Sequence, residues 1–211
     1  MVAERIVKQS ADKPSGCVRA ATIALSLIVA GCMPAATGLA ASESAAPPAM
    51  RWDHRPGASD WTLAAMQAVV RKDAVLAGRV PADIESWCPG YAEADITQRR
   101  SFWVGLMSAV AKHESGWNAA AAGGGGRWIG LMQISPKTAR NHDCTARSAA
   151  ALKDGGANLA CAVEIFADDV ARDGVVSGKG NRGLGRDWMP FRKAQTRAEM
   201  QSWVRQQSYC K

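Results

Sequence analysis

The sequence contains little cysteine or histidine and lacks a long apolar run. Six cysteines in 211 residues are too few for a protein built mainly from disulfides. The sequence has no Cys-x-x-Cys pair, and its histidines are scattered at positions 54, 113 and 142, so no metal site is predicted. No stretch of about 18 uninterrupted apolar residues is present to span a membrane. A hydrophobic content of 47% therefore indicates an ordinary globular chain.

The first forty residues carry the pattern of an export signal. Lys8, Lys13 and Arg19 precede an apolar run that ends at Cys32 and is too short to anchor in a bilayer. Val29-Ala-Gly-Cys32 resembles the bacterial lipobox, in which the cysteine is acylated and becomes the new N-terminus. We therefore predict a signal peptide over residues 1–32 with lipidation at Cys32; cleavage after Ala40 is the alternative.

The net charge of +7 allows several kinds of binding partner, and export narrows the choice. A basic protein can bind nucleic acid, an anionic membrane or an anionic polymer. Outside the cytoplasm nucleic acid is excluded as a partner, and an anionic wall polymer fits best. We expect the protein in the bacterial cell envelope, in the periplasm. Its one membrane contact would be a lipid at Cys32, which would tether it to the outer membrane.

The rest of the chain divides into a tether and one folded domain. Residues 33–59 are rich in Ala, Pro and Ser without a helical or strand period, which predicts a tether. Residues 60–211 fit a single domain that is mainly α (α+β), because nothing in them indicates a large sheet. Predicted helix caps are Asp60, Thr97, Ser135 and Asp154, with a capping box from Thr196 to Glu199. The first of these helices carries Leu63, Met66, Val70 and Ala74 on its apolar face.

Cleavage at Cys32 leaves an even set of four cysteines in an oxidising compartment, which predicts two disulfides. Four cysteines allow three pairings. Their spacing favours a local bridge from Cys144 to Cys161 and a long one from Cys88 to Cys210.

A glutamate continues the apolar stripe of the helix predicted from Thr97. Glu114 lies four residues after Val110 and seven after Met107, so its carboxylate is expected on the core-facing side. Desolvation and the negative end of the helix dipole would both raise its pKa. Glu114 is therefore a candidate general acid, although a glutamate at a helix end is more commonly exposed or paired with arginine.

Two short motifs flank a glycine-rich loop. His113-Glu-Ser-Gly-Trp-Asn118 is followed by four alanines and four glycines, and then by Gly130-Leu-Met-Gln-Ile134. Asn158-Leu-Ala-Cys-Ala-Val163 and Trp188-Met-Pro-Phe-Arg192 come later. In order and spacing these segments resemble the soluble lytic transglycosylases, a family with a lysozyme-like fold. The resemblance implies a small β element or hairpin between the catalytic helix and the Gly-Leu-Met-Gln segment.

The resemblance also implies a substrate and a reaction. Peptidoglycan would be cleaved between N-acetylmuramic acid and N-acetylglucosamine to leave 1,6-anhydro ends, with no cofactor. Glu114 matches the family's catalytic acid, which protonates the glycosidic oxygen and then takes the proton of the muramyl C6 hydroxyl. A single carboxyl suffices, because no water is activated. Substrate contacts are expected at Ser115, Gly130, Met132, Gln133, Asn158 and Trp188.

One departure from the family leaves alternatives open. The usual Ala-Tyr-Asn motif is absent, and Trp188 and Asp187 are the candidates for its place. If Asp187 faces Glu114, a second carboxylate is available and a hydrolytic lysozyme is the alternative. A non-catalytic peptidoglycan-binding lipoprotein is another. Besides glycan strands, a secretion or conjugation machine is a candidate partner.

Overall fold

The fold is that of a computed structural model, which describes residues 47–211. The predicted signal peptide, Cys32 and the alternative cut after Ala40 lie outside the described residues. The helices are α1 (Ala58–Arg71), α2 (Ile84–Trp87), α3 (Ile96–Ser115), α4 (Pro136–Asn141), α5 (Gly155–Asp173), α6 (Met189–Arg192) and α7 (Ala194–Val204). The strands are β1 (Ala122–Gly123) and β2 (Trp128–Ile129), and short 3-10 turns lie at Ala151–Lys153 and Ser208–Cys210. This confirms the mainly helical fold with one small β element.

Helix α3 runs through the centre of the core. Asp95 caps it, since its side chain accepts from the Gln98 N–H while the Gln98 side chain accepts from the Asp95 N–H. The cap therefore lies two residues before the predicted Thr97. Every residue from Ser101 to Ala111 is buried, so the helix is covered on all sides. No helix in residues 47–211 is long and apolar enough to cross a membrane.

The packed part of the chain begins earlier than the predicted boundary at residue 60. Met50 and Trp52 are buried in the core, and the Trp52 ring N–H donates to Thr62 Oγ1 at 2.9 Å. The Arg51 N–H donates to Ser108 Oγ of α3, also at 2.9 Å. The prediction of a tether through Ser59 is therefore wrong from about Met50 onward, because one tryptophan and these hydrogen bonds attach the segment to the core.

Helix α1 packs against α5 through small residues. Its buried side chains are Ala58, Ala65, Ala68 and Val69. Leu63 and Val70 of the predicted apolar face are instead largely exposed. The contact with α5 occurs at two glycines: a Cβ at Gly155 would clash with the Trp61 ring, and one at Gly156 would lie 3.1 Å from the Ala64 Cβ. Such close approach of two helices favours small side chains over leucine at the interface.

Two disulfides join the expected cysteines. Cys144 is bonded to Cys161, and Cys88 is bonded to Cys210. The first bridge connects the end of α4 to α5, and the second connects α2 to the C-terminus. Since all four sulfur-bearing residues are buried, both bridges are part of the core.

Glu199 joins three elements rather than capping its own helix. It accepts from Arg51, from Lys112 Nζ at 2.8 Å, and it contacts His113 Nε2 at 2.9 Å. These partners, Arg51 foremost, hold the pKa of Glu199 well below its usual range. The predicted capping box is therefore wrong: Thr196 Oγ1 donates back to Pro190 O, and α7 already begins at Ala194.

Candidate active site

Glu114 lies in the last turn of α3, at the wall of an open groove. The helix ends at Gly116, which adopts a left-handed φ of 60°. Glu114 is half-buried, and burial raises its pKa from 4.5 to about 7, against the opposing charge of Lys193. The groove beside it has a volume of about 290 Å³ and is lined also by Trp128, Gln133, Asp187, Met189 and Arg192. The glutamate can therefore hold a proton near neutral pH and still be reached by a ligand.

The groove continues past Glu114 along the face between β2 and α4. This second part, of about 120 Å³, shares Trp128, Gln133 and Asp187 with the first. Its further polar lining consists of Ser135, Thr138 and Arg186. Because both parts are open and share these three residues, they form one continuous groove.

The small hairpin carries an exposed aromatic ring to the groove. Strand β1 pairs antiparallel with β2, with Ala122 opposite Ile129 and Gly123 opposite Trp128. Trp128 is 44% exposed and lines both parts of the groove, while the Arg127 guanidinium lies 5.3 Å from its ring centre. An exposed, partly fixed indole presents a flat apolar face of the kind that stacks on a sugar ring.

The Gly-Leu-Met-Gln segment is shaped by a buried asparagine. Asn158 Oδ1 accepts from the Met132 N–H at 2.9 Å, and its Nδ2 donates to Ile129 O and Leu152 O at 3.0 Å each. Gly130 has a φ of 79°, and a Cβ there would clash with Leu152 O and the Asn158 amide. Asn158 and Gly130 therefore fix the loop by close packing, which explains their residue types.

Within this loop Gln133 is the residue that reaches the groove. It lines both parts of the groove and has a positive φ of 48°, and its Nε2 donates to Gly130 O at 2.9 Å. The Oε1 atom lies beside Gly123 of β1, where an added Cβ would approach it to 2.5 Å, and as a carbonyl oxygen it can accept a hydrogen bond. Met132, by contrast, is completely buried, so its predicted contact with substrate is not seen in the structure.

The remaining predicted contacts have mainly structural surroundings. Trp188 is buried, and its ring N–H donates to Met132 O at 2.9 Å, so only a part of its surface borders the second part of the groove. Its ring therefore offers little surface for the predicted contact with substrate. Ser115 Oγ donates to Ala111 O within α3 at 3.2 Å. Of the predicted contacts, Gln133 and Trp188 therefore line the groove together with Glu114.

Several groove residues were not singled out from the sequence. Met189 and Arg192 line the same part of the groove as Glu114, and Lys193 lies close enough to affect its charge. Arg186 and Thr138 border the second part. Met189 and Arg192 belong to the Trp188-Met-Pro-Phe-Arg192 segment, whereas Thr138 and Arg186 lie outside every motif described above.

The comparisons with known proteins agree with this geometry. The solved structure "Bd0314 DslA wild-type form 2" is 25% identical, with a TM-score of 0.70, and the match covers 77% of this chain and 98% of that one. A glutamate-to-glutamine mutant of the same protein is 27% identical, with a TM-score of 0.69, over 75% of this chain and 95% of that one. No curated protein sequence matches. The family described as "Transglycosylase SLT domain" matches residues 92–200, more than half of the chain, and this protein belongs to that family.

Proposed function

We propose that the protein cleaves the β-1,4 bond between N-acetylmuramic acid and N-acetylglucosamine in peptidoglycan without water, leaving 1,6-anhydro ends. The observation that supports this most directly concerns Glu114. Its carboxyl is half-buried in the wall of an open groove, and burial raises its pKa to about 7. A group with that pKa is protonated often enough at neutral pH to act as an acid, and its anion is basic enough to recover a proton.

The reaction needs one proton to move out and one to move back. Glu114 donates its proton to the glycosidic oxygen while the bond from that oxygen to C1 breaks. The charge of Lys193 opposes the burial of Glu114 and so helps to stabilise the carboxylate that remains. That carboxylate takes the proton of the muramyl C6 hydroxyl, whose oxygen forms the new bond to C1. Glu114 is regenerated, and no water is consumed.

The groove supplies the groups that a glycan strand needs. Trp128 offers a ring face for a sugar, and Gln133 Oε1 can accept from an N-acetyl N–H or a hydroxyl. Arg186 and Arg192 add positive charge on the wall, which suits a polymer whose lactyl and peptide groups are anionic.

A hydrolytic muramidase is the second candidate, because Asp187 lines the same groove as Glu114. A second carboxylate can activate water or act as a nucleophile. The two reactions differ in their products: hydrolysis adds the atoms of one water for each bond cleaved, with the OH on C1 and the H on the leaving oxygen, whereas the proposed reaction adds none.

Mass spectrometry of peptidoglycan digested with purified protein tests the proposal. We expect anhydro-muropeptides from the wild type and none from Glu114→Gln, which keeps the shape but has no acidic proton. Glu93→Gln, at an exposed site outside the groove, is the matched control and should retain turnover. Hydrated ends would assign hydrolysis, and binding to peptidoglycan without products would indicate a non-catalytic wall protein.

We also propose, from the sequence pattern, that the protein is exported to the periplasm and acylated at Cys32. Metabolic labelling with a fatty acid should mark the wild type and not Cys32→Ala. An unlabelled product that begins at Ala41 would instead indicate cleavage after Ala40.

A further inference from the structure

A pair of carboxyl groups, Asp169 and Asp187, connects the groove to the core. Asp187 is exposed and lines both parts of the groove. Asp169, on α5, is completely buried and lies against Asp187. One carboxyl of this pair thus faces the ligand space and the other faces the core.

The buried carboxyl has one oxygen without a donor. Asp169 Oδ1 lies 3.4 Å from Arg172 Nη1 and 3.6 Å from Arg186 Nε. Asp169 Oδ2 accepts from no donor within residues 47–211 and is shielded from solvent. Two carboxylates cannot bond to each other unless one carries a proton, so contact between Asp169 and Asp187 requires a shared proton.

The surroundings place that proton on Asp169. Burial, and after it the negative charge of Asp187, raise the pKa of Asp169. Arg172 and Arg186 oppose this, but Arg186 is also engaged by Asp173, whose Oδ2 accepts from its Nη2 at 3.1 Å. Asp187, by contrast, is exposed in the groove, so burial favours the neutral form only for Asp169.

We propose that Asp187 is a specificity-determining residue that binds the hydroxyl and amide N–H donors of the glycan. Asp169 is its positioning residue, donating a hydrogen bond from the core side. This inference rests on the proposed function and assigns a role to the carboxylate that the hydrolytic alternative would use as a base or nucleophile.

The geometry of the pair suits Asp187 to binding. A hydrogen bond from Asp169 on the core side fixes the direction of the Asp187 carboxylate. The hydrogen bond occupies one of its acceptor positions and leaves the others free for donors in the groove. Its fixed direction can select a sugar that presents donors at that place.

Kinetics on soluble peptidoglycan strands test the role of Asp187. Asp187→Asn should raise KM about tenfold, the effect of losing one charged acceptor, and change kcat less than about threefold. The anhydro product should be unchanged. Glu93→Gln removes the same charge outside the groove and should leave KM unaltered. A fall in kcat of about a hundredfold at constant KM, or an unaltered KM, would overturn the proposal.

The pH dependence of KM tests the role of Asp169. In the wild type KM should rise between about pH 6 and pH 9, because Asp169 loses its proton and the two carboxylates then repel each other. Asp169→Asn keeps an N–H donor and cannot ionise, so its KM should stay level over that range. Asp169→Leu should have a raised KM at every pH, and its melting temperature shows whether it folds. Identical pH profiles of KM for the wild type and Asp169→Asn would overturn the positioning role.

The binding role of Asp187 can be tested even if the proposed enzymatic activity is absent. If the wild type forms no product, co-sedimentation with insoluble peptidoglycan replaces KM as the readout. Weaker sedimentation of Asp187→Asn than of Glu93→Gln then still supports the binding role, and equal sedimentation contradicts it.

Discussion

Replacing Glu114 by glutamine is expected to stabilise the fold while it abolishes turnover. The burial that raises the pKa of Glu114 from 4.5 to about 7 disfavours its charged form in the folded protein. A shift of that size corresponds to at most about 3 kcal/mol. Because Glu114 is only half-buried, solvent screening reduces this, and we expect about 1–2 kcal/mol.

The stability that Glu114→Gln gains over the wild type should increase as the pH rises. Below about pH 4.5 the carboxyl is neutral in both the folded and the unfolded chain, so Glu114→Gln should have no advantage. As the pH rises from 4.5 to about 7, the unfolded chain ionises while the folded one keeps its proton, and the wild type loses stability. Above about pH 7 the difference between the two proteins should be constant and largest.

Thermal unfolding of both proteins from about pH 4.5 to about pH 9 measures this. The melting temperature of Glu114→Gln should exceed that of the wild type by about 3–6 °C at the alkaline end. The control Glu93→Gln corrects for the change in net charge. A pH-independent difference, or a less stable Glu114→Gln variant, would refute the view that Glu114 is destabilised by desolvation.

Three further perturbations follow from the geometry. Trp128→Ala should raise KM about fivefold and change the free energy of unfolding by less than about 1 kcal/mol, because the ring is exposed; a large loss of stability would contradict this. Gly130→Ala should cost more than about 2 kcal/mol in denaturant unfolding and reduce turnover, since it combines a positive φ with a clash. Gly125→Ala is the control, because Gly125 has a similar φ but no described atom within 4 Å of the added Cβ, and it should lower the free energy of unfolding by less. Equal losses of stability in the two variants would attribute the effect to backbone strain alone. Replacing Cys88 and Cys210 by serine should lower the free energy of unfolding by about 5 kcal/mol, and removing the Cys144–Cys161 bridge should lower it by about 3 kcal/mol. The first bridge closes a loop of 122 residues and the second a loop of 17, and a longer loop has more entropy to lose in the unfolded chain. The reverse order would contradict a chain-entropy origin.

The sequence predicted features that depend on local pattern. The caps at Ser135 and Asp154, the central helix that ends near Glu114, and the two cysteine pairs are all seen in the structure. A capping residue acts within one helical turn, so its role can be predicted without knowledge of the partners of the helix. The partial burial of Glu114 followed from its spacing to Val110 and Met107, whereas its substrate was implied only by the family resemblance.

Features that depend on distant partners were not predicted. Glu199 looked like half of a capping box, but its contact with Arg51 joins residues that are 148 positions apart. The buried face of α1 was misassigned because α1 approaches α5 closely at Gly155 and Gly156, and this close contact leaves room for alanine but not for leucine. The burial of Trp188 was not predicted either, because the sequence does not reveal that its indole N–H donates to the buried carbonyl of Met132.

The attachment of the N-terminal segment limits how far the chain can be shortened. A fragment designed from sequence pattern to begin at Asp60 would lack Trp52, leaving an empty indole-sized space beside α1, and would lose the guanidinium that neutralises Glu199. Loss of a buried tryptophan alone costs about 3–5 kcal/mol, a large share of the stability of a typical domain. Preparations intended for crystallisation or enzymology should therefore start no later than Pro47.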